Sequence, residues 1–146
     1  MARRKKVQVW IWGRTKAGAP VQVLIFKTIA SRGSFWQPVT GGVEADEEFM
    51  AGALREAREE TGLVFASGPK PIGYSFKFDG QWGPAEEEAF SLEAPSDVVG
   101  KADAIRLEAK EHDECRWVSP ETALGELKWP SNQEALLLLM TRLGVS

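Results

Sequence analysis

The stretch from Gly41 to Leu63, GGVEADEEFMAGALREAREETGL, constrains this chain more than any other part of it. Two glycines end an apolar segment, and a run of strong helix formers follows them. The pattern predicts a helix from about Glu47 to Thr61. Within it, Glu56, Glu59 and Glu60 are three and four positions apart, so the helix brings their carboxylates together on one face.

An acidic face of this kind needs a counter-charge, because like charges at helical spacing repel by about a few tenths of a kcal/mol per pair. Arg55 and Arg58 on the same helix are one source of positive charge, and a solvated surface with Glu–Arg pairs would then be sufficient. A hard divalent cation is the other, because Mg²⁺ prefers carboxylate and carbonyl oxygens. Gly41 offers its carbonyl without a side chain in the way. Helical spacing alone leaves both interpretations open.

The remaining chain alternates between strand and turn signals. Val7–Trp12 and Val21–Ile29 are separated by a Gly- and Pro-containing turn and predict a hairpin. Further strands or extended segments are predicted at Phe35–Thr40, Val64–Phe65, Ile72–Phe78, Glu88–Leu92, Ala104–Leu107 and Glu114–Val118. Two hydrophobic patterns with helical period complete the list, so the sequence predicts an α/β protein.

The ends and the buried face of each predicted helix are indicated by residues close together in the sequence. Ser119 and Pro120 are suited to the N-cap and first position of a short helix. Ser131 or Asn132 is predicted to cap a final helix that ends near Leu143. The acidic helix is predicted to bury a stripe formed by Met50, Ala53, Leu54, Ala57 and Thr61.

Composition limits the class of protein. The 146 residues suit one domain spanning residues 1–146, and no repeat or linker divides them. A net charge of -3 makes nucleic acid an unlikely partner. The single cysteine, Cys115, excludes an intrachain disulfide and favours a cytoplasmic location. No segment approaches the ~20 apolar residues of a membrane span, and the apolar run after MARRKK is too short for a signal peptide.

The opening stretch is similar, position by position, to the signature of the Nudix hydrolases. That signature is Gly, five residues, Glu, seven residues, Arg-Glu, an aliphatic residue, any residue, Glu-Glu, any residue, Gly and an aliphatic residue. The matching positions are Gly41, Glu47, Arg55, Glu56, Ala57, Glu59, Glu60, Gly62 and Leu63. The resemblance implies an α/β/α sandwich with a mixed β-sheet and a catalytic loop-helix-loop. It also implies hydrolysis of a nucleoside diphosphate linked to another group.

The resemblance further implies a role for each matching residue. Arg55 would orient the glutamates and pair with Glu47. Glu60 or Glu111 would act as the general base. The cofactor would be Mg²⁺, with Mn²⁺ as an alternative. The implied metal ligands are Gly41, Glu56, Glu59, Glu60 and Glu111, and the implied catalytic residues are Arg55, Glu59, Glu60 and Glu111.

Three segments outside the signature resemble the bacterial dihydroneopterin triphosphate pyrophosphatases, also described as dATP pyrophosphohydrolases. These segments are Phe35–Gly41, Glu111–Trp117 and Lys128–Gln133. Gly42 and Cys115 depart from the pattern of that group, and Pro130 is an additional residue. The resemblance implies that a nucleoside or pterin triphosphate, such as dihydroneopterin triphosphate or dATP, is cleaved to the monophosphate and pyrophosphate.

Five residues are candidates for holding such a substrate. Trp36 is the candidate for stacking on a base or pterin, with core packing as the alternative. Lys27 and Arg32 flank the metal loop and are candidates for the outer phosphates, with solvated surface charge as the alternative. Gln37 and Asn132 carry amides suited to the polar edges of the ring.

Two other functions agree with the sequence. One is a Nudix hydrolase for a nucleotide sugar, a dinucleoside polyphosphate or an RNA 5′ end. The other is a non-catalytic Nudix domain that senses a nucleotide, which the complete set of signature glutamates disfavours. The expected partner is a small-molecule triphosphate, with the protein acting as a monomer or a homodimer and without a membrane.

Overall fold

The first strand of the protein, β1, occupies the centre of one mixed sheet. The computed structural model describes residues 3–145. In this part of the chain, helices cover both faces of the sheet. The elements are β1 (Arg4–Gly13), β2 (Gln22–Thr28), β3 (Trp36–Gln37), β4 (Val39–Val43), α1 (Phe49–Thr61), β5 (Lys70–Gly80), β6 (Gly83–Glu93), β7 (His112–Val118), α2 (Pro120–Glu126) and α3 (Pro130–Leu143).

The two edges of β1 are used differently. One edge pairs in parallel with β6 along nearly its whole length. The other edge is divided, because β4 pairs antiparallel with Lys5–Val9 while β2 pairs only with Trp12 and Gly13. β2 then continues away from β1 and pairs with β3 and β7. β2 and β4 therefore pair with different ends of β1, β2 with its C-terminal end and β4 with its N-terminal half.

Alternation along β1 separates two cores. Val7, Val9 and Ile11 are fully buried in the core under α1, whereas Trp10 is fully buried in the core under α2 and α3. The predicted α/β/α sandwich with a mixed sheet is therefore confirmed. Among the described residues, no helix is long and apolar enough to cross a membrane. The single domain of residues 1–146 stays a prediction, and its ends at Met1, Ala2 and Ser146 lie outside the described residues.

The strongest local signals agree with the structure. α1 ends at Gly62, which adopts a left-handed conformation with φ of 69°, and the hairpin of β1 and β2 is present. Ser119 caps α2, because its hydroxyl accepts a hydrogen bond from the backbone N–H of Thr122 at 3.1 Å. Pro120 occupies the first turn of that helix. These features depend on neighbouring residues only, which explains why the sequence predicts them.

Four local predictions are wrong. No strand forms at Val64–Phe65, where Val64 is 82% exposed, or at Ala104–Leu107, where the chain turns and Arg106 bonds the end of α1. Met50 is 44% exposed and so leaves the buried stripe of α1. The N-cap of α3 is Trp129, not Ser131 or Asn132, because Pro130 takes the first helical position.

Candidate functional site

Arg55 joins the loop before α1 to the helix itself. Its Nε and Nη2 donate to the two carboxylate oxygens of Glu47 at 3.0 Å each, and Nη2 also donates to the carbonyl of Gly42 at 2.8 Å. Arg55 lowers the pKa of Glu47 to about 2, helped by a backbone N–H at Glu44. The expected Arg55–Glu47 pair is present in the structure, while a catalytic role for Arg55 stays a prediction.

Gly41 and Glu56 are in direct contact across the loop and the helix. A Cβ placed on Gly41 would be 2.1 Å from the carboxyl carbon of Glu56 and 2.3 Å from its Oε2. Arg55 Nη1 holds the other oxygen, Oε1, at 3.0 Å. The absence of a side chain at Gly41 therefore gives the Glu56 carboxylate its position beside the Gly41 backbone.

Glu60 is buried, and a histidine holds it. Its carboxylate accepts a hydrogen bond from Nδ1 of His112 at 2.9 Å, and both side chains are at most 2% exposed. Burial lowers the pKa of His112, so the ring is neutral and its other nitrogen, Nε2, accepts from the amide of Gln37 at 3.0 Å. The series Gln37–His112–Glu60 orients one carboxylate from the side of the sheet.

Glu111 completes an acidic cluster with Glu60. One ligand atom from each of Glu60, Glu111 and His112 lies within 4.8 Å of the other two. A hydrogen bond to Glu60, with burial in second place, raises the pKa of Glu111 to about 7. Burial is also the main cause that raises the pKa of Glu60 and of Glu56. Burial and, to a smaller extent, repulsion between neighbouring carboxylates thus disfavour the charged forms of these groups.

This donor set fits a hard divalent cation. It consists of several carboxylates that share few positive side chains, next to a backbone that a missing side chain leaves accessible. Glu59 lies at the rim, 55% exposed and 3.4 Å from Arg55. Among the acids near Glu111, Glu114 is instead paired with Arg116 at 3.0 Å. Gly41, Glu56, Glu59, Glu60 and Glu111 thus remain the predicted ligands, with the ion itself a prediction.

A cleft of about 650 Å³ opens beside this cluster, and Arg32 and Gln37 line it on the side of Glu111 and His112. Two aromatic pairs form part of its wall. The rings of Phe76 and Phe78 are 5.5 Å apart, and those of Phe35 and Trp129 are 5.8 Å apart in a T-shaped arrangement. The full lining is Lys6, Thr28, Arg32, Phe35, Gln37, Thr40, Phe76, Phe78, Glu87, Trp129, Ser131 and Asn132.

Three of the five predicted substrate residues line the cleft. Arg32 does so from the turn after β2, and its guanidinium is 4.0 Å from the carboxylate of Glu111. Gln37 lies between the cleft and His112. Asn132 lines it from the first turn of α3 and is 3% exposed.

The structure does not bring the other two into the cleft. Trp36 is 8% exposed in the core under α2 and α3, with the guanidinium of Arg116 4.8 Å from its ring. In an extended chain its neighbours Phe35 and Gln37 face the opposite way, and these two residues line the cleft. Lys27 pairs with Trp36 across β2 and β3 and does not line the cleft either. The expected stacking of Trp36 on a base is therefore incompatible with its burial.

Sequence reasoning missed several cleft residues. Phe76 and Phe78 alternate with polar residues along β5, which is a usable signal for one shared face. Lys6 appeared only within the basic segment MARRKK, and Glu87 lay just before the predicted strand Glu88–Leu92. Lys6 and Glu87 are opposite each other in the pairing of β1 with β6, so their proximity depends on a register that single-sequence patterns do not specify.

Comparison with known proteins gives a family match over almost the whole chain. The family model described as the NUDIX domain matches residues 2–139. A curated protein of Myxococcus xanthus named octanoyltransferase is 36% identical over 121 residues, which is 82% of this chain and 32% of that protein. The chain therefore spans about a third of the length of that relative, and the activity in its name belongs to the longer protein.

Solved structures are similar over their full length. A Listeria monocytogenes protein assigned to the NUDIX hydrolases is 26% identical, with a TM-score of 0.75 over 95% of this chain and 93% of that one. The dihydroneopterin triphosphate pyrophosphohydrolase of E. coli is 20% identical, with a TM-score of 0.71 over 97% of this chain and 99% of that one. Likeness at 20% identity shows the shared fold and does not determine the substrate.

Proposed function

This chain belongs to the Nudix family of phosphoanhydride hydrolases, and from that premise we propose a specific reaction. The reaction is the divalent-metal-dependent hydrolysis of a purine or pterin triphosphate to the monophosphate and pyrophosphate. One observation carries the proposal. Arg32 lines the aromatic cleft and is 4.0 Å from Glu111, so a ring bound in the cleft directs its phosphates towards the acidic cluster.

The residues of the site have three roles: some would hold the metal ion, some position the ligands and the substrate, and one takes part in proton transfer. Glu56, Glu59, Glu60, Glu111 and the Gly41 carbonyl would hold Mg²⁺ or Mn²⁺. When bound, such an ion neutralises charge on the diphosphate and lowers the pKa of the attacking water.

The protein's own groups prepare the site for this reaction. Arg55 fixes Glu56, and His112 fixes Glu60, so two carboxylates keep their positions without substrate. Arg32 and Lys6 line the cleft and bind phosphate oxygens, with Arg32 able to form paired hydrogen bonds. Glu111 accepts the proton of the attacking water, because its side chain is 32% exposed and faces Arg32, whereas Glu60 is buried and bonded to His112.

The cleft supports a small triphosphate as the substrate. A volume of about 650 Å³ with two aromatic pairs suits one bicyclic ring and its sugar or side chain. Among the aromatic residues of the cleft, Trp129 is 45% exposed and takes the stacking role first considered for Trp36. The free Cys115 supports a cytoplasmic location, and we propose a monomer or homodimer.

A panel of substrates tests the reaction. We expect the highest kcat/KM, with Mg²⁺ present, on dihydroneopterin triphosphate or a purine dNTP, with pyrophosphate and monophosphate as products. ADP-ribose, a dinucleoside polyphosphate, a nucleotide sugar and capped RNA are the competing substrates. Equal or higher kcat/KM on one of the competing compounds, or release of orthophosphate in place of pyrophosphate, would contradict the proposal.

Glu60→Gln tests the acidic cluster. We expect kcat/KM to fall by at least about 100-fold, because the variant removes a charged ligand but keeps a group that accepts from His112. Glu48→Gln is the matched control, since Glu48 is exposed at the start of the same helix and its side chain makes no capping hydrogen bond. If Glu60→Gln and Glu48→Gln hydrolysed the substrate equally at limiting Mg²⁺, the metal assignment would be wrong.

A further inference from the structure

A buried indole begins a series of hydrogen bonds in the floor of the cleft. Trp10 is fully buried, and its Nε1–H can only donate. It lies 3.1 Å from the side-chain amide of Gln8, which is also fully buried. The atom of Gln8 that faces Trp10 must therefore be the carbonyl oxygen, Oε1. This contact determines the orientation of the whole amide.

The orientation of Gln8 then dictates those of its neighbours. Its amide nitrogen, Nε2, is turned towards Glu87 and donates to Oε2 at 3.0 Å, with the Ser131 carbonyl at 3.4 Å. Its oxygen already faces Trp10, so a second contact to that oxygen must come from a donor. Asn132 supplies it through Nδ2 at 3.2 Å. The hydrogen-bonding capacity of Gln8 is thus used entirely within the protein.

Two acceptor oxygens remain for a ligand. They are Oε1 of Glu87 and Oδ1 of Asn132, and both residues line the cleft. Glu87 is 7% exposed and Asn132 is 3% exposed, so only a small part of the surface of each residue is accessible. Among the described residues, the one buried side-chain nitrogen or oxygen without a partner is Nε1 of Trp117. The free oxygens of Glu87 and Asn132 are therefore open to the cleft and are not sealed inside the protein.

The surroundings agree with a carboxylate that receives hydrogen bonds. Burial is the main influence on Glu87 and raises its pKa. Lys6, which lies opposite Glu87 in the pairing of β1 with β6, and the hydrogen bond from Gln8 act in the other direction and favour the charged form. A ligand that donates two hydrogen bonds from one edge satisfies this group better than water at a narrow opening.

We propose that Glu87, with Asn132 beside it, determines specificity by binding a ring edge with adjacent ring N–H and exocyclic amino donors. Guanine and pterin share this edge. Adenine has an amino group next to an unprotonated ring nitrogen, which would place acceptor against acceptor. The inference rests on the proposed function and narrows it, from a purine or pterin triphosphate to one with a 2-amino-pyrimidinone ring.

The first test uses the wild-type protein with three nucleotides. dGTP carries both donors, dITP keeps the ring N–H but lacks the amino group, and dATP lacks the ring N–H. Hydrogen bonds to a charged group predict that kcat/KM falls about 10- to 100-fold from dGTP to dATP, with dITP between them. Equal values for dGTP and dITP would overturn the inference and leave the proposed hydrolysis intact. Hydrolysis of none of the three, nor of dihydroneopterin triphosphate, would overturn both.

The second test uses Glu87→Gln, with Glu88→Gln as the control. Glu88 is the next residue on β6, is partly exposed and does not line the cleft. We expect Glu87→Gln to lower kcat/KM for dGTP about 10- to 100-fold through KM, to change dATP less than threefold, and to remove the preference for dGTP over dITP. An equal loss on all three nucleotides, or a larger loss on dATP, would overturn the specificity role. If the variant did not fold, the wild-type comparison of dGTP with dITP would still decide.

Discussion

Replacing Gly41 by alanine is the most direct test of how the acidic cluster is built. The added Cβ would be 2.1 Å from Cδ, 2.3 Å from Oε2 and 2.6 Å from Cγ of Glu56. Ordinary contacts at Cβ begin near 3.4 Å, so the carboxylate must move by more than about 1 Å. Arg55 holds Glu56 at 3.0 Å, and this movement disrupts their ion pair.

The size of the effect follows from that displacement. A misplacement of about 1 Å costs on the order of 100-fold in rate, which corresponds to about 2.7 kcal/mol of transition-state free energy. Crowding a packed contact costs about 1–3 kcal/mol in the free energy of unfolding. We expect Gly41→Ala to lower kcat/KM about 100-fold, to need more Mg²⁺ for half-maximal rate, and to melt at a lower temperature than the wild type.

The adjacent residue supplies the matched control. A Cβ on Gly42 would meet nothing within 4 Å, and neither Gly41 nor Gly42 is among the glycines with positive φ. Gly42→Ala should therefore change the free energy of unfolding by less than about 0.5 kcal/mol and kcat/KM by less than about twofold. The assay is initial rate against Mg²⁺ concentration for both variants, with thermal denaturation beside it. Indistinguishable Mg²⁺ curves for the two variants would refute the contact between Gly41 and Glu56 as a determinant of the site.

Two further predictions concern the cluster and the cleft. Glu111 has a pKa of about 7, above the ordinary 4.5, so the folded protein binds this proton more tightly than the unfolded chain. The contribution of this proton to the free energy of unfolding is complete below pH 4.5 and is lost as the pH rises through 7. The melting temperature measured in EDTA should therefore fall between pH 5 and 8. The Glu111→Gln variant should show a flatter dependence of melting temperature on pH. Trp129→Ala should raise KM about 10-fold with little change in melting temperature, because stacking on a base contributes about 1–3 kcal/mol. Trp82 is 70% exposed and outside the cleft, so Trp82→Ala should leave KM unchanged. Trp36 is buried in the core, so Trp36→Ala should lower the free energy of unfolding by about 3–5 kcal/mol. A KM that rises for Trp36→Ala but not for Trp129→Ala would contradict these assignments.

The sequence predicts α1 and its acidic face well because both depend on spacing within four residues. The left-handed end at Gly62 and the cap at Ser119 are equally local. The family signature adds the roles of Arg55 and Glu47, whose ion pair spans eight residues. The general layout of strands and helices also follows from short patterns, so the fold class and the acidic helix are the parts that a single sequence reveals.

The cleft is not predictable in the same way, because its lining comes from six strands, β1 to β6, and from α3. The partners Glu60 and His112 are 52 positions apart, and Gln8 and Asn132 are 124 apart. Trp36 shows a second limit. Phe35 and Trp36 are both aromatic, so alternation along the strand does not reveal which of them faces the core. The order of strands in the sheet determines which of the two rings faces the core.

The pairing of β1 with β4 has a consequence for the length of the substrate. Gln8, which orients the floor of the cleft, is opposite Thr40, and Val7 is opposite Gly41 at the acidic cluster. The proposed ring-binding residues and the acidic cluster are thus attached to the same pair of hydrogen-bonded strands, and the pairing fixes the distance between them. A rigid span of this kind measures the number of atoms between the ring and the bond that breaks. The strand backbone would then determine which bond of the triphosphate is cleaved. Side-chain substitutions in the cleft should change which ring is accepted without changing which phosphate is released.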